Sequence, residues 1–202
     1  MKKMILFLLV ILIGHAGYCQ TAEDYYKKGN ARLELKDYTG AVAYYSKAID
    51  INPGYSDAYL LRGTAMNALQ QYRESIDDLG KYIEHNPNYS KAYFLRGSSK
   101  TGLQDYSGAI ADFNKAITID PNNSKAYCLR GSAKQYLKDF QGSIADLTKS
   151  INIDPKFADA YYYRGHAKIQ LGQKDSGCMD FSRAGELGLR EAYDAIKKYC
   201  NN

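Results

Sequence analysis

The sequence predicts an all-α protein built from five tandem helix pairs. Three residue types recur at intervals of 34 positions along the chain. The glycines are Gly29, Gly63, Gly97, Gly131 and Gly165; the tyrosines are Tyr25, Tyr59, Tyr93, Tyr127 and Tyr161; the prolines are Pro53, Pro87, Pro121 and Pro155. A fixed period of this length indicates stacked repeats, because one unit cannot bury its apolar face alone.

Each period contains two segments with the apolar spacing of a helix. In the third unit these segments are SKAYFLRGSSKTGL and YSGAIADFNKAITI, joined by a short polar link. The Asn–Pro pair near the end of a unit stops the second helix, since proline disfavours helical geometry in the preceding residue. The serines expected to cap first helices are Ser56, Ser90 and Ser124. The predicted units span residues 22–55, 56–89, 90–123, 124–157 and 158–187.

The last unit lacks the closing proline and continues into a different C-terminal segment, residues 188–202. Gly188 predicts a helix end, and a final helix is expected from about Arg190 to Cys200. Its apolar side chains can pack on the fifth unit while its lysines face water. This segment is therefore predicted to cap the open end of the array.

The N-terminus has the layout of a secretory signal peptide. Two lysines precede an apolar run, MILFLLVILIG, which is short for a membrane span, and polar sequence follows it. Gly17 and Cys19 fit the small-x-small cleavage rule, so residues 1–19 are predicted to be removed and the chain to be exported. Two alternatives are a lipid anchor on Cys19, which Tyr18 disfavours, and retention of the segment as an anchor.

The repeated pattern resembles the tetratricopeptide repeat. The matching features are Tyr at the fourth place, Gly at the eighth, Ala or Ser at the twentieth, an apolar or aromatic residue at the twenty-fourth and Pro at the thirty-second. The resemblance implies an α-solenoid whose first helices line a concave groove for a peptide or protein partner. The C-terminal stretch is similar to the ends of exported repeat proteins of Bacteroidetes-type bacteria, which implies a periplasmic or secreted location.

If first helices line the groove, the fifth and ninth places of each unit share one face and lie one turn apart. They form an apolar-to-aromatic row beside a polar row, a surface suited to a peptide. Equally, each side chain could complete the packing between neighbouring first helices. The candidate groove residues are Tyr26, Asn30, Leu60, Thr64, Phe94, Ser98, Cys128, Ser132, Tyr162 and His166.

Two charged residues also follow the period, one in each helix of the pair. Arginine recurs at the seventh place and aspartate at the twenty-third, and the first unit lacks both. Residues at these places lie level across a helical hairpin, so structural pairs are favoured over a row of cations for an acidic ligand. The predicted pairs are Arg62 with Asp78, Arg96 with Asp112, Arg130 with Asp146, and Arg164 with Asp180.

Cys178 and Cys200 lie on two helices that fold back on each other around Gly188. A disulfide between them is compatible with this hairpin and with an oxidising compartment. The alternative is a pair of buried thiols. Cys128 stands at a groove place and has no His or other base beside it in the sequence.

No pattern in the sequence indicates catalysis, a metal or a cofactor. RGSSKTG matches only part of a phosphate-loop pattern and lies in a predicted helix. His85 and His166 have no ligand-spaced partners, and His15 lies in the signal region. A net charge of +5 without basic runs gives no support for nucleic-acid binding, and no small-molecule substrate is indicated.

The sequence therefore predicts a non-enzymatic scaffold for a protein or peptide partner in the cell envelope. The alternative function is a structural subunit of an envelope assembly, which would use its convex face and capping helix.

Overall fold

The computed structural model describes residues 20–201, and within this range the chain forms eleven α-helices and no β-strand. The predicted signal peptide and Cys19 lie outside the described residues. The helices are α1 Ala22–Glu34, α2 Tyr38–Ile51, α3 Ser56–Ala68, α4 Tyr72–His85, α5 Ser90–Gly102, α6 Tyr106–Ile119, α7 Ser124–Tyr136, α8 Phe140–Ile153, α9 Ala158–Gln170, α10 Lys174–Glu186 and α11 Glu191–Tyr199.

The helices pack in chain order as an α-solenoid, as predicted. Each first helix packs on the second helix of its own unit, and each second helix packs on the first helix of the next unit. In the second to fifth units, successive first helices also touch one another directly, whereas successive second helices have no contact of similar extent. The first helices α1, α3, α5, α7 and α9 therefore lie on the inner side of the curved array.

A close approach at the eighth-place glycine holds each helix pair together. In the third unit the ring of Phe113, which is fully buried, lies on Gly97. A Cβ atom added to Gly97 would lie 2.8 Å from Cε1 of Phe113, which is closer than carbon atoms can pack. The corresponding contacts are Gly29 with Tyr45, Gly63 with Leu79, Gly131 with Leu147 and Gly165 with Phe181.

The turn inside each unit combines a helix end with a helix start. In the first unit the N–H of Lys36 donates to the carbonyl of Leu33 and the N–H of Asp37 donates to that of Arg32, which forms a Schellman motif. Lys36 adopts the left-handed region, with φ 57°. The carboxylate of Asp37 then accepts from the N–H of Gly40 at 2.9 Å and caps α2. In the first, third and fourth units one aspartate thus ends one helix and starts the next.

The predicted serine caps of the first helices are wrong. Ser56, Ser90 and Ser124 are the first helical residues, one position beyond the caps. The hydroxyl of Ser90 instead donates to the carbonyl of Ala116 at 3.0 Å, and that of Ser56 accepts from Asn86 at 2.9 Å. These two serine hydroxyls therefore form hydrogen bonds between the two helices of a unit. They are not used to cap the N-terminus of the first helix.

The C-terminal helix closes the array as a short amphipathic segment. Ala192 and Ala195 of α11 are buried on the side that packs against α10. Gly188 has φ 97° and provides the left-handed position at the end of α10. A disulfide joins Cys178 in α10 to Cys200 directly after α11, so this bridge holds the two ends of a 22-residue interval together.

Two glycine-to-alanine changes test the close approach within the helix pair. Gly97→Ala should lower the free energy of unfolding by about 1–3 kcal/mol, because the new methyl group overlaps Phe113. Gly80→Ala is the matched control within helix α4. Its Cβ would meet nothing closer than 3.9 Å, so the better helix propensity of alanine should stabilise the fold by about 0.5–1 kcal/mol.

Denaturant unfolding followed by circular dichroism measures both effects. Equal stabilisation by the two substitutions would show that the helices do not approach closely at the eighth place.

Candidate functional site

The four arginine–aspartate pairs form inside their own units, each as a two-pronged contact. In the third unit Nε and Nη2 of Arg96 donate to the two carboxylate oxygens of Asp112 at 2.9 and 2.6 Å. The aspartate is buried, and Lys100 adds a second cation at 2.8 Å. The other pairs are Arg62–Asp78, Arg130–Asp146 and Arg164–Asp180.

Three of these arginines also reach the preceding unit. Nη1 of Arg164 donates to the hydroxyl of Thr148 at 3.1 Å, and Arg62 contacts Ser46 in the same way. Arg130 donates to the amide oxygen of Asn114. The guanidinium groups therefore hold a unit together and bind it to its neighbour, which favours the structural interpretation over a row of cations for an anionic ligand.

The fifth-place candidates divide into buried and half-buried residues. Leu60 and Cys128 are 8% and 1% exposed, so neither offers a groove surface, and the assignment of these two residues to the partner-binding surface is wrong. Both side chains complete the packing between units, the alternative interpretation of this row. Tyr26, Phe94 and Tyr162 remain half-buried, and each ring contacts the aromatic residue at the twenty-fourth place of its unit.

Burial also determines the chemistry of Cys128. Removal from water raises the pKa of its thiol to about 12, because the thiolate loses its hydration. Asp159 adds a smaller effect in the same direction. The thiol is therefore protonated at neutral pH, the form in which cysteine is a poor nucleophile.

The ninth-place candidates also differ among the units. The hydroxyls of Thr64 and Ser98 donate to carbonyls of their own helices, and Asn30 accepts from the hydroxyl of Tyr45. These three polar groups are satisfied within the fold. Ser132 and His166 are different, because both line an open depression in the groove.

The depression, here called the tyrosine depression, lies between α7 and α9 on the inner side of the array. It has a volume of about 370 Å³. Its lining residues are Ser132, Gln135, Tyr136, Phe140, Tyr162, Tyr163, His166 and Gln170. The predicted candidates Ser132, Tyr162 and His166 therefore meet in one site, together with residues that the fifth and ninth places do not include.

Tyr136 and Tyr163 are the main lining residues that the repeat pattern did not predict. They occupy the thirteenth and sixth places, which share the groove-facing side of the helix with the ninth place. Tyr136 is 64% exposed, which is unusual for a large ring. Its signal in the sequence was a tyrosine where the preceding units have Glu34, Ala68 and Gly102.

Aromatic neighbours surround His166 in the lining of the depression. The imidazole meets the rings of Tyr162, Phe181 and Tyr199 edge to face, with centroids 4.6, 4.9 and 5.6 Å away. Burial, and then the charge of Lys198, lower the pKa of His166. The imidazole is therefore neutral at pH 7.

Within residues 20–201 there is no cluster of His, Cys, Asp or Glu that could hold a metal ion. No helix in that range is long and apolar enough to cross a bilayer. Its buried side-chain nitrogen and oxygen atoms all have hydrogen-bond partners. The fold supports a helical-repeat scaffold for protein interaction.

Sequence profiles identify the family of this scaffold. Tetratricopeptide repeat profiles match residues 22–55, 57–89 and 124–157, and a TPR repeat profile matches residues 101–137. The chain therefore belongs to the tetratricopeptide repeat family, and the resemblance seen in the recurring residues is confirmed. A search among curated protein sequences found no significant match.

Solved structures share this fold at low sequence identity. A crystal structure of MamA protein is 23% identical with a TM-score of 0.76, covering 91% of this chain and 97% of that chain. MamA 41-end from Desulfovibrio magneticus RS-1 is 18% identical with a TM-score of 0.77, covering 82% and 94%. YrrB, described as a TPR protein with an unusual peptide-binding site, is 18% identical with a TM-score of 0.74, covering 88% and 93%.

A double-mutant cycle on Arg96 and Asp112 tests the structural role of the ion pairs. Asp112→Ala alone should lower the free energy of unfolding by about 3–5 kcal/mol, because it leaves Arg96 and Lys100 without their buried partner. Arg96→Ala should cost less in the presence of Asp112→Ala than in the wild type, so the coupling energy should be clearly favourable.

The exposed pair Arg183–Glu186 serves as the control, and its coupling should be clearly smaller because solvent screens it. Zero coupling between Arg96 and Asp112 would contradict the structural role of this pair.

Proposed function

We propose that this protein is a non-enzymatic scaffold that holds a peptide or protein partner in its concave groove. The tyrosine depression is the observation that supports this proposal. It places three tyrosine rings, neutral hydrogen-bonding side chains and open volume together on the inner face of a rigid array. Large aromatic side chains beside adaptable polar groups are the usual composition of an energetically important contact region.

Proteins of the same fold support the proposal at the level of the family. Tetratricopeptide repeat proteins bind protein or peptide partners, and YrrB is described as having an unusual peptide-binding site. At 18% identity the two chains share a fold, which does not locate a binding site in this chain. The site in units four and five is therefore argued from the residues that line its own depression.

The cell envelope is the proposed location, as a periplasmic or secreted protein. The signal-like residues 1–19 support export, and a disulfide between Cys178 and Cys200 is compatible with an oxidising compartment. Protein purified from the envelope of its native cells should begin at Gln20. Titration of that protein, denatured without reductant, should find one free thiol, Cys128.

Three free thiols would contradict the disulfide in this compartment. Full-length protein in the cytoplasmic fraction would contradict export. A mature protein that begins with a lipid-modified Cys19 would show that the chain is a lipid-anchored protein and is not cleaved before Gln20.

A structural subunit of an envelope assembly is the second candidate function. Met179 on α10 is 66% exposed and Tyr193 on α11 is 59% exposed, and both lie outside the tyrosine depression. Two large exposed side chains at the capped end would suit a contact with another subunit.

Site-specific photo-crosslinking in native cells distinguishes the two functions. A photo-reactive amino acid is introduced at the position of Tyr136 in the groove or, in a separate variant, at the position of Met179 on α10. Both side chains are more than half exposed, so both variants should fold. We expect a discrete crosslinked partner from position 136 and none from position 179. The reverse pattern would reject groove binding and favour the assembly subunit.

A further inference from the structure

The lining of the tyrosine depression contains no charged side chain. Its eight residues are four aromatic residues, two glutamines, a serine and a histidine. The histidine is neutral at pH 7, because burial and Lys198 lower its pKa. A charged ligand group placed among these eight side chains would lose its hydration without a charged partner in the lining, since Glu191, Asp194 and Lys198 line a neighbouring depression beyond His166. The lining of the tyrosine depression therefore favours an uncharged segment.

Aromatic contacts extend from the depression to the third unit. The ring of Tyr136 stacks on Tyr106 with centroids 4.3 Å apart and an angle of 3° between the ring planes. On the other side, Tyr162 and Tyr163 meet edge to face at 5.7 Å. Rings from the start of α6 to α9 therefore neighbour one another, with Tyr106 next to the lining of the depression, and a linear segment can contact them in turn.

Several lining side chains have polar groups that form no hydrogen bond within the described part of the protein. Among residues 20–201, the hydroxyls of Tyr136, Tyr162 and Tyr163 and the amide of Gln170 form no hydrogen bond within the protein. In contrast, the amide of Gln135 donates to the carbonyl of Tyr163 at 3.0 Å and to Ser143 at 3.1 Å. The open groups are therefore available to donate to carbonyl oxygens of a bound chain.

We propose that the tyrosine depression binds an uncharged, proline-rich segment of a partner protein in the polyproline II conformation. This inference rests on the proposed function of the groove and names the chemical class of its ligand. Proline has no N–H group, so such a segment presents carbonyl acceptors and apolar rings, which match the free donors and aromatic faces of the site. The polyproline II helix is also largely formed before binding, which reduces the entropy lost on association.

A helical peptide fits these observations less well than an extended one. An amphipathic helix satisfies its own carbonyl groups and would leave the open hydroxyl and amide donors without acceptors. It also carries a charged face, for which the lining offers no complement. A neutral oligosaccharide would share the aromatic and hydrogen-bonding chemistry, but the family of this chain binds proteins and peptides.

Titration of the purified protein with three defined probes tests the proposal. The probes are a capped, uncharged peptide of repeated Pro-Pro-Ala units, the same peptide with every proline replaced by alanine, and maltohexaose. Isothermal titration calorimetry should show saturable binding of the proline peptide alone. Tyr136→Ala should weaken this binding about tenfold, as expected when a central aromatic contact is removed.

Two further variants make the result specific to the site. Gln170→Ala removes a second exposed lining side chain and should also weaken binding of the proline peptide. Tyr193→Ala is the matched control, because Tyr193 is exposed to a similar degree as Tyr136 but lies on α11 outside the depression. Its affinity for the proline peptide should equal that of the wild type.

Three outcomes would overturn the proposal. Binding of the proline peptide that neither Tyr136→Ala nor Gln170→Ala weakens would place the site elsewhere. Tyr136-dependent binding of maltohexaose without binding of the peptide would make the ligand a sugar. Failure of every probe to bind, while position 136 still crosslinks a partner in cells, would reject the ligand class and leave the proposed groove function standing.

Discussion

The close approach of two helices at the eighth-place glycine is the constraint on which the rest of the structure depends. Gly97 admits the ring of Phe113, and the residues directly before these two are Arg96 and Asp112. Once the helices meet at the glycine, the guanidinium and the carboxylate are brought level and form their two-pronged pair. Helix packing and ion pairing therefore occur together in each of units two to five. Arg62, Arg130 and Arg164 also form hydrogen bonds with the preceding unit.

The first unit shows that the packing contact at the glycine is retained where the arginine–aspartate pair is missing. It keeps Gly29 against Tyr45 but has Lys28 and Tyr44 in place of the ion pair. There, Tyr25 stacks on Tyr44 at 6.4 Å, and Lys28 and Lys47 each lie 5.4 Å from the ring centre of Tyr25. A cation over the fourth-place tyrosine is present in every unit, so the first unit keeps this contact and lacks only the charged hydrogen bonds to an aspartate. The electrostatic partner can change between units, whereas the contact with the glycine does not.

Features that depend on the repeat could be predicted from the sequence, and features that depend on how units meet could not. The 34-residue period located the helix pairs and the level of Arg96 and Asp112, because both follow from spacing along a hairpin. The period could not show that Cys128 is covered by the next unit while Phe94, at the same place, stays half open. It also could not reveal the tyrosine depression, since Tyr136 joins the site only when units four and five stack.

The division between repeated and unrepeated places explains where specificity can reside in this chain. The glycine and, from the second unit onward, the arginine and aspartate that build the frame recur, so the frame offers the same geometry along the array. The groove places carry different residues in successive units, and they form an open aromatic site where Tyr136 faces Tyr162 and Tyr163. Tyr199 packs on His166 and Phe181 next to this site, where it lines a neighbouring depression together with Tyr162 and His166. Because the disulfide follows Tyr199 by one residue, the bridge that fastens the capping helix also stabilises one wall of the groove.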